Sequence, residues 1–118
     1  EGDYKPILPR LRDAKVDCVN LEFAYPTTGE VADLEFLPQH LSVGMGVLDV
    51  RTEKLQTVEQ IEAIGAAGAA VVQPERIALN PDCGFAPGSG EPPSIDEAYE
   101  KLKRLVEAAA RLRARFVV

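Results

Sequence analysis

Three stretches of the chain have the pattern of strands, and they are separated by stretches of helical period. In residues 16–23 the side chains alternate, with Val19 and Leu21 on one face and Cys18, Asn20 and Glu22 on the other. Residues 41–50 set Val43, Met45 and Val47 against Gly44, Gly46 and Leu48 and end in Asp49. Two glycines inside a strand imply close approach by a ligand or another backbone. The third stretch, Ile77-Ala78-Leu79-Asn80-Pro81-Asp82-Cys83-Gly84, predicts a buried strand passing into a tight turn. Pro81 cannot donate to a ladder, and Gly84 accepts backbone angles closed to other residues.

The helical stretches are marked by their starts. Thr57-Val58-Glu59-Gln60 has capping-box spacing and opens a small, apolar helix through residues 61–72, ended by Gln73-Pro74. Gly65 and Gly68 each cost that helix about 1 kcal/mol relative to alanine, so close packing on the sheet is expected to compensate. Ser94-Ile95-Asp96-Glu97 repeats the box ahead of a cover helix with Leu102, Leu105, Val106, Ala109 and Leu112 at helical spacing. Residues 4–13 predict a helix with Pro6 and Pro9 near its first turn. Residues 24–40 open on the turn-forming Tyr25-Pro26-Thr27-Thr28-Gly29 and are too long for a bare connection, which predicts a short helix over 31–36. Residues 85–93 form a Gly/Pro loop long enough to act as a flap over the strand mouths, or simply to lie idle at the surface.

The order of elements predicts an α/β fold of three strand-then-helix units, and crossovers of this kind make the strands parallel. An open sheet of three strands has two unpaired edges. Residues 1–118 are therefore expected to form one partial domain, the last three units of a (β/α)8 barrel of the TIM type. The alternative is a small non-catalytic α/β module that self-associates through its sheet edges.

The composition narrows the partners. Of 118 residues, 46% are hydrophobic and 27% charged, an ordinary globular balance. Nineteen acidic against 13 basic residues give a net charge of -6, which argues against nucleic acid and against anionic membranes. No apolar run approaches the roughly 20 residues of a membrane span, and the N-terminal residues lack a charged-then-apolar signal pattern, so a cytoplasmic location is expected. In that setting Cys18 and Cys83 are better read as reduced thiols or metal ligands than as a disulfide.

The candidate chemistry lies at the strand ends. Cys83 stands at the C-terminal mouth of its strand, the rim where parallel α/β folds gather ligands and catalytic groups. Glu22 ends the first strand on its polar face; it meets either a cavity or a cation there, or else solvent at a frayed end. The only histidine, His40, precedes the second strand and so belongs to the opposite rim.

Three segments together carry a family resemblance: Asp17-Cys18-Val19-Asn20-Leu21-Glu22, Val43-Gly44-Met45-Gly46-Val47-Leu48-Asp49-Val50 and Asn80-Pro81-Asp82-Cys83-Gly84. In this order they resemble the C-terminal part of the catalytic barrel of cobalamin-independent methionine synthases and related zinc-dependent thiol alkyltransferases, including epoxyalkane:coenzyme M transferase. The resemblance implies methyl or alkyl transfer from a donor to a zinc-bound thiol such as homocysteine. It implies a zinc ion held by a His-x-Cys pair, a glutamate and a final cysteine, and by position Glu22 and Cys83 match the last two. Zinc favours such donors, and an open coordination position binds and deprotonates a thiol.

Asn20, Asp49 and Arg51 are then the candidate substrate-binding residues. Asp49 either binds polar groups of the substrate or caps its own loop. Two departures from the family pattern stand out. The His-x-Cys pair is absent, so two ligands alone are not expected to hold zinc tightly, and the chain reads as a fragment. Arg51 stands where methionine synthases proper carry a catalytic histidine. It either pairs with an anionic substrate group such as a carboxylate or sulfonate, or is a solvated loop residue beside Glu53.

Overall fold

A computed structural model describes residues 3–25, 29–86 and 92–117. The expected turn at 26–28 and the centre of the expected flap at 87–91 lie outside the described residues. Strands β1 (Cys18–Glu22), β2 (Ser42–Leu48) and β3 (Ile77–Pro81) form a parallel sheet in the order β1-β2-β3. Helix α1 (Val58–Ala69) links β2 to β3, and α2 (Ile95–Phe116) follows β3. The α/β class and the parallel strands are as expected from the alternation of periods. The first connection is lighter than an α-helical crossover, since residues Val31–Phe36 make only a 3-10 helix, as do Leu8–Asp13.

One face of the sheet is the core. Val43, Met45 and Val47 are fully buried, with Leu8, Leu34, Leu41 and Ile61 around them. The glycines of α1 serve this contact: a side chain on Gly68 would strike Met45, and one on Gly65 would come within 2.6 Å of Leu112 on α2. Burying a side chain such as Met45 or Leu112 stabilises by about 1.5–3 kcal/mol, which offsets the roughly 1 kcal/mol of helix propensity lost at each glycine. Thr57 and Gln60 make the full reciprocal capping box.

Several local expectations are corrected. Helix α1 ends at Ala69, ahead of Gln73-Pro74, because the amides of Val71 and Val72 fold back onto the Gly68 carbonyl at 2.9 and 2.8 Å. Ser94 accepts the Glu97 amide, but the Glu97 carboxylate turns away to pair with Lys101 at 3.3 Å, so only half of the second box forms. The buried stripe of α2 is Lys101, Leu105, Ala108 and Leu112, leaving Leu102 and Val106 exposed. Strand β3 is half-buried rather than buried, because it is a sheet edge. Gly84 lies outside the left-handed region and a side chain there would meet open space.

The other face of the sheet is polar. In register across it stand Asn20 beside Gly44, Glu22 beside Gly46, and Gly46 beside Asn80. The pairing then slips by one residue between Gly46 and Leu48, and the Asp82 amide takes over the ladder, donating to the Leu48 carbonyl at 3.0 Å. Pro81 has no N–H to offer, so the ladder passes over it.

Candidate functional site

The C-terminal ends of the three strands form one rim, where Glu22, Asp49, Arg51, Asp82 and Cys83 gather. Glu22 is fixed through its backbone. The Tyr4 hydroxyl donates to the Glu22 carbonyl and accepts the Glu22 amide, both at 3.0 Å. The Tyr4 ring sits edge-on to Phe23, with centroids 5.6 Å apart. Burial pushes the Tyr4 phenol pKa up, against the lowering effect of its bond to the Glu22 backbone.

The Arg51 guanidinium is the centre of charge on this rim. It donates to the Glu22 carboxylate at 3.0 Å and stacks over the Tyr25 ring at 4.9 Å, with the Cys83 thiol in its electrostatic reach. The nearby Cys83 thiol, then the Glu22 carboxylate, hold its pKa above the ordinary arginine value. Glu22 and Cys83 come from the two outer strands, which do not touch, yet both face this one cation. The pair with Glu22 is partly solvated, so it orients the groups more than it stabilises the fold. Arg51 thus pairs with Glu22 while its side chain stays exposed.

Asp49 is occupied by its own loop. Its carboxylate accepts the Tyr25 hydroxyl at 2.6 Å, the Arg51 amide at 2.8 Å, the Thr52 amide at 3.3 Å and the Thr52 hydroxyl. Burial raises its pKa, and these bonds together overcome that and leave it below the ordinary carboxylate value. Burial first, then the bond to Asp49, push Tyr25 up to about 12. Gln56 closes the same loop, accepting the Asp49 amide at 2.7 Å and donating to the Val47 carbonyl at 3.0 Å. From α2, the buried Lys101 donates to the Thr52 carbonyl and Arg104 to the Gln56 carbonyl at 2.8 Å.

Asp82 spans the rim. One carboxylate oxygen accepts the amides of Phe23 and Ala24, each at 3.2 Å. The other is buried without a hydrogen-bond partner among the described residues. Burial pushes the Asp82 pKa up to about 6, with the two amides opposing and Glu22 adding to the rise.

Below the rim, the carboxamide oxygens of Asn20 and Asn80 converge over Gly44, where a side chain would collide with both. Cys18, exposed, lies at the far end of β1, and His40 is exposed at the same opposite rim. Both cysteines are free. Among the described residues no group of three or more His, Cys, Asp or Glu side chains could hold a metal ion.

Sequence reasoning gathered Glu22, Asp49, Arg51 and Cys83 on the rim, and it missed Tyr4, Tyr25, Asn80, Asp82, Thr52, Gln56 and Lys101. Tyr4 meets Glu22 from 18 residues away and Lys101 meets Thr52 from 49. Such separations leave no local signal. Asp82 had one, since an aspartate after proline in a turn signals a capping role, but the amides it caps are 58 and 59 residues away.

Residues 1–111 match the family model described as the catalytic domain of cobalamin-independent synthases. The chain belongs to this family. A methionine synthase of Methanothermobacter thermautotrophicus is 33% identical over 112 residues, covering 92% of this chain and 33% of that relative. A 5-methyltetrahydropteroyltriglutamate–homocysteine methyltransferase of Nitratidesulfovibrio vulgaris is 33% identical over 114 residues, 96% of this chain and 14% of the relative. The chain therefore spans about a third of one relative's length and about a seventh of the other's. The solved structure of a B12-independent methionine synthase from Shewanella sp., in complex with selenomethionine, superposes with a TM-score of 0.84 at 22% identity, over 97% of this chain and 31% of that one. At that identity the likeness concerns the fold, an α/β arrangement shared with part of the synthase. No helix among the described residues is long and apolar enough to cross a membrane.

Proposed function

We propose that this chain is the distal part of the catalytic barrel of a zinc-dependent methyltransferase that moves a methyl or alkyl group from a donor to a thiol such as homocysteine. The observation that carries this reading is the gathering of Glu22 and Cys83, from strands that do not touch, at one C-terminal rim around the Arg51 guanidinium. A carboxylate and a thiol that share a cation are a donor set suited to zinc, and active sites of parallel barrels are built at this rim. They are two ligands of an expected four, so the remaining donors come from outside these residues.

When bound, zinc supplies the Lewis acidity that keeps a substrate thiol deprotonated at neutral pH. The chain's own residues do the rest. Glu22 and Cys83 hold the metal's position, and Tyr4 fixes the backbone that carries Glu22. Asp49 orients Tyr25 and the Arg51 backbone, and stays a candidate for the polar groups of the substrate. Asn20, with Asn80, presents carboxamides over the Gly44 floor, where both donors and acceptors are available to the polar end of a substrate. Arg51 contributes a fixed positive charge, suited to an anionic group of the thiol or the donor.

The reading of the fold as three units of a barrel is supported by α2, which has two apolar faces. Beyond its buried stripe, Ile95, Tyr99 and Val106 are 88%, 68% and 66% exposed. A barrel's outer helix is flanked by two neighbours, and a second apolar stripe suits that setting. The direct test is zinc content after dialysis, measured on this chain and on a form carrying whatever its reading frame supplies before Glu1, each with a Cys83→Ser control. One zinc per extended chain, lost with Cys83→Ser, is the expected result; no zinc in either form would remove Glu22 and Cys83 as ligands.

A further inference from the structure

Strands β1 and β3 are separated by β2, so no ladder bond joins directly the ends that carry Glu22 and Cys83. The structure supplies a direct link in Asp82. Its backbone belongs to the end of β3, its amide joins the ladder at the Leu48 carbonyl, and its side chain crosses β2 to accept the amides of Phe23 and Ala24 at 3.2 Å. Phe23 directly follows Glu22, and Cys83 directly follows Asp82. The crossing is possible because it runs over a glycine. A side chain on Gly46 would strike the Asp82 carboxylate, come within 2.9 Å of the Asp82 Cα and within 3.0 Å of the Leu21 carbonyl. Two of those obstacles are backbone, so they cannot swing aside. The amide of Phe23 is shared with the Gly46 carbonyl at 2.8 Å, whereas the Ala24 amide donates to Asp82, which makes Ala24 the clean reporter of the contact.

We infer that Asp82 is a positioning residue, a strap laid over Gly46 that fixes Glu22 and Cys83 relative to one another. This rests on reading those two residues as metal ligands. It assigns the strap to hydrogen-bond acceptance and so predicts that an uncharged acceptor of the same shape preserves it. Residues behind the ligands of metal sites tune affinity by about 10- to 100-fold.

The experiment uses the form extended by whatever the reading frame supplies before Glu1, in a Cys18→Ser background, with Asp82→Asn, Asp82→Ala and Gly46→Ala. Three quantities are read: hydrogen exchange at the Ala24 amide, alkylation rate of Cys83, and affinity for cobalt(II), whose absorption reports thiolate ligation. Asp82→Asn keeps Ala24 protected and cobalt affinity within about two-fold of the parent. Asp82→Ala and Gly46→Ala speed Ala24 exchange at least about 10-fold, change the Cys83 alkylation rate in the folded chain, and weaken cobalt about 10-fold or more. Unchanged Ala24 exchange in Asp82→Ala overturns the strap. An Asp82→Asn variant as impaired as Asp82→Ala overturns its basis in acceptance. A loss of thermal stability with cobalt affinity and Cys83 reactivity unmoved reduces Asp82 to a structural residue and overturns the inference. Failure of the parent itself to bind cobalt counts against the ligand reading, and the exchange and alkylation results still decide the strap.

Discussion

Arg51 and Glu22 meet at 3.0 Å across the mouths of β1 and β2, although 29 residues separate them in the chain. The guanidinium stands on the charge that a metal ion would use, and its positive field opposes an incoming dication. Replacing it removes both effects. Arg51→Met is therefore expected to tighten zinc binding by about two- to five-fold, the scale of one partly solvated ion pair. Competition with a chromophoric chelator measures it, and weaker binding in the variant would mean that Arg51 supports the site instead.

The Tyr25 hydroxyl and the Asp49 carboxylate, 2.6 Å apart, make stability depend on pH from both sides. Tyr25 keeps its proton to about 12, above the ordinary value of 10, so its contribution is present below pH 10 and is lost as the pH rises through 12. The Asp49 pKa is depressed below its ordinary 3.8, so its contribution is present above that value and is lost as the pH falls through the folded value. Tyr25→Phe is expected to cost about 1 kcal/mol at neutral pH. The phenolate absorbance that disappears in Tyr25→Phe should titrate near 12 in the parent and lower in Asp49→Asn; titration at 10 in the parent would show that the bond is not made.

Lys101 is 1% exposed, and its ammonium group joins the Thr52 carbonyl to the Glu97 carboxylate. Lys101→Met keeps the apolar stem but leaves both partners without their donor, and a loss of about 1–3 kcal/mol is expected in urea unfolding. Glu97→Gln, on the half-buried side of the same contact, keeps an acceptor for the Lys101 ammonium and should cost less than Lys101→Met. Equal losses in the two variants would place the importance of Lys101 in the ion pair rather than in its hold on the loop that carries Arg51.

Gly84 offers a contrast to the glycines that pack. Its backbone is outside the left-handed region and no atom stands within 4 Å of a would-be side chain. Gly84→Ala should stabilise the chain by about 0.4–1 kcal/mol through the unfolded state. A loss of similar size, measured by the same unfolding curves, would reveal a contact at this position in solution.

Much of the fold was legible because it is written in local periods. Alternation over 16–23 and 41–50 located β1 and β2, the Thr57 box opened α1 where expected, and the short helix over 31–36 is present as a 3-10 turn. The face of α2 was not legible. Leu102 and Val106 sit at helical spacing as well as Leu105 and Leu112 do, and only the position of α1 decides which stripe is buried.

By itself the sequence determined which residues stand at the strand ends, since strand period and chain order put Glu22, Asp49 and Cys83 at one rim and His40 at the other. It also determined where glycine lets the sheet be approached, at Gly44 and Gly46. Only the tertiary structure decided what those residues do to one another: Tyr4 clamping Glu22, Arg51 between Glu22 and Cys83, Asp82 strapping β1 to β3, and Lys101 holding the loop from α2. The physical reason is range. Backbone periodicity and capping are set by neighbours within four residues, whereas a hydrogen bond between side chain and distant backbone exists only once packing has brought the two together.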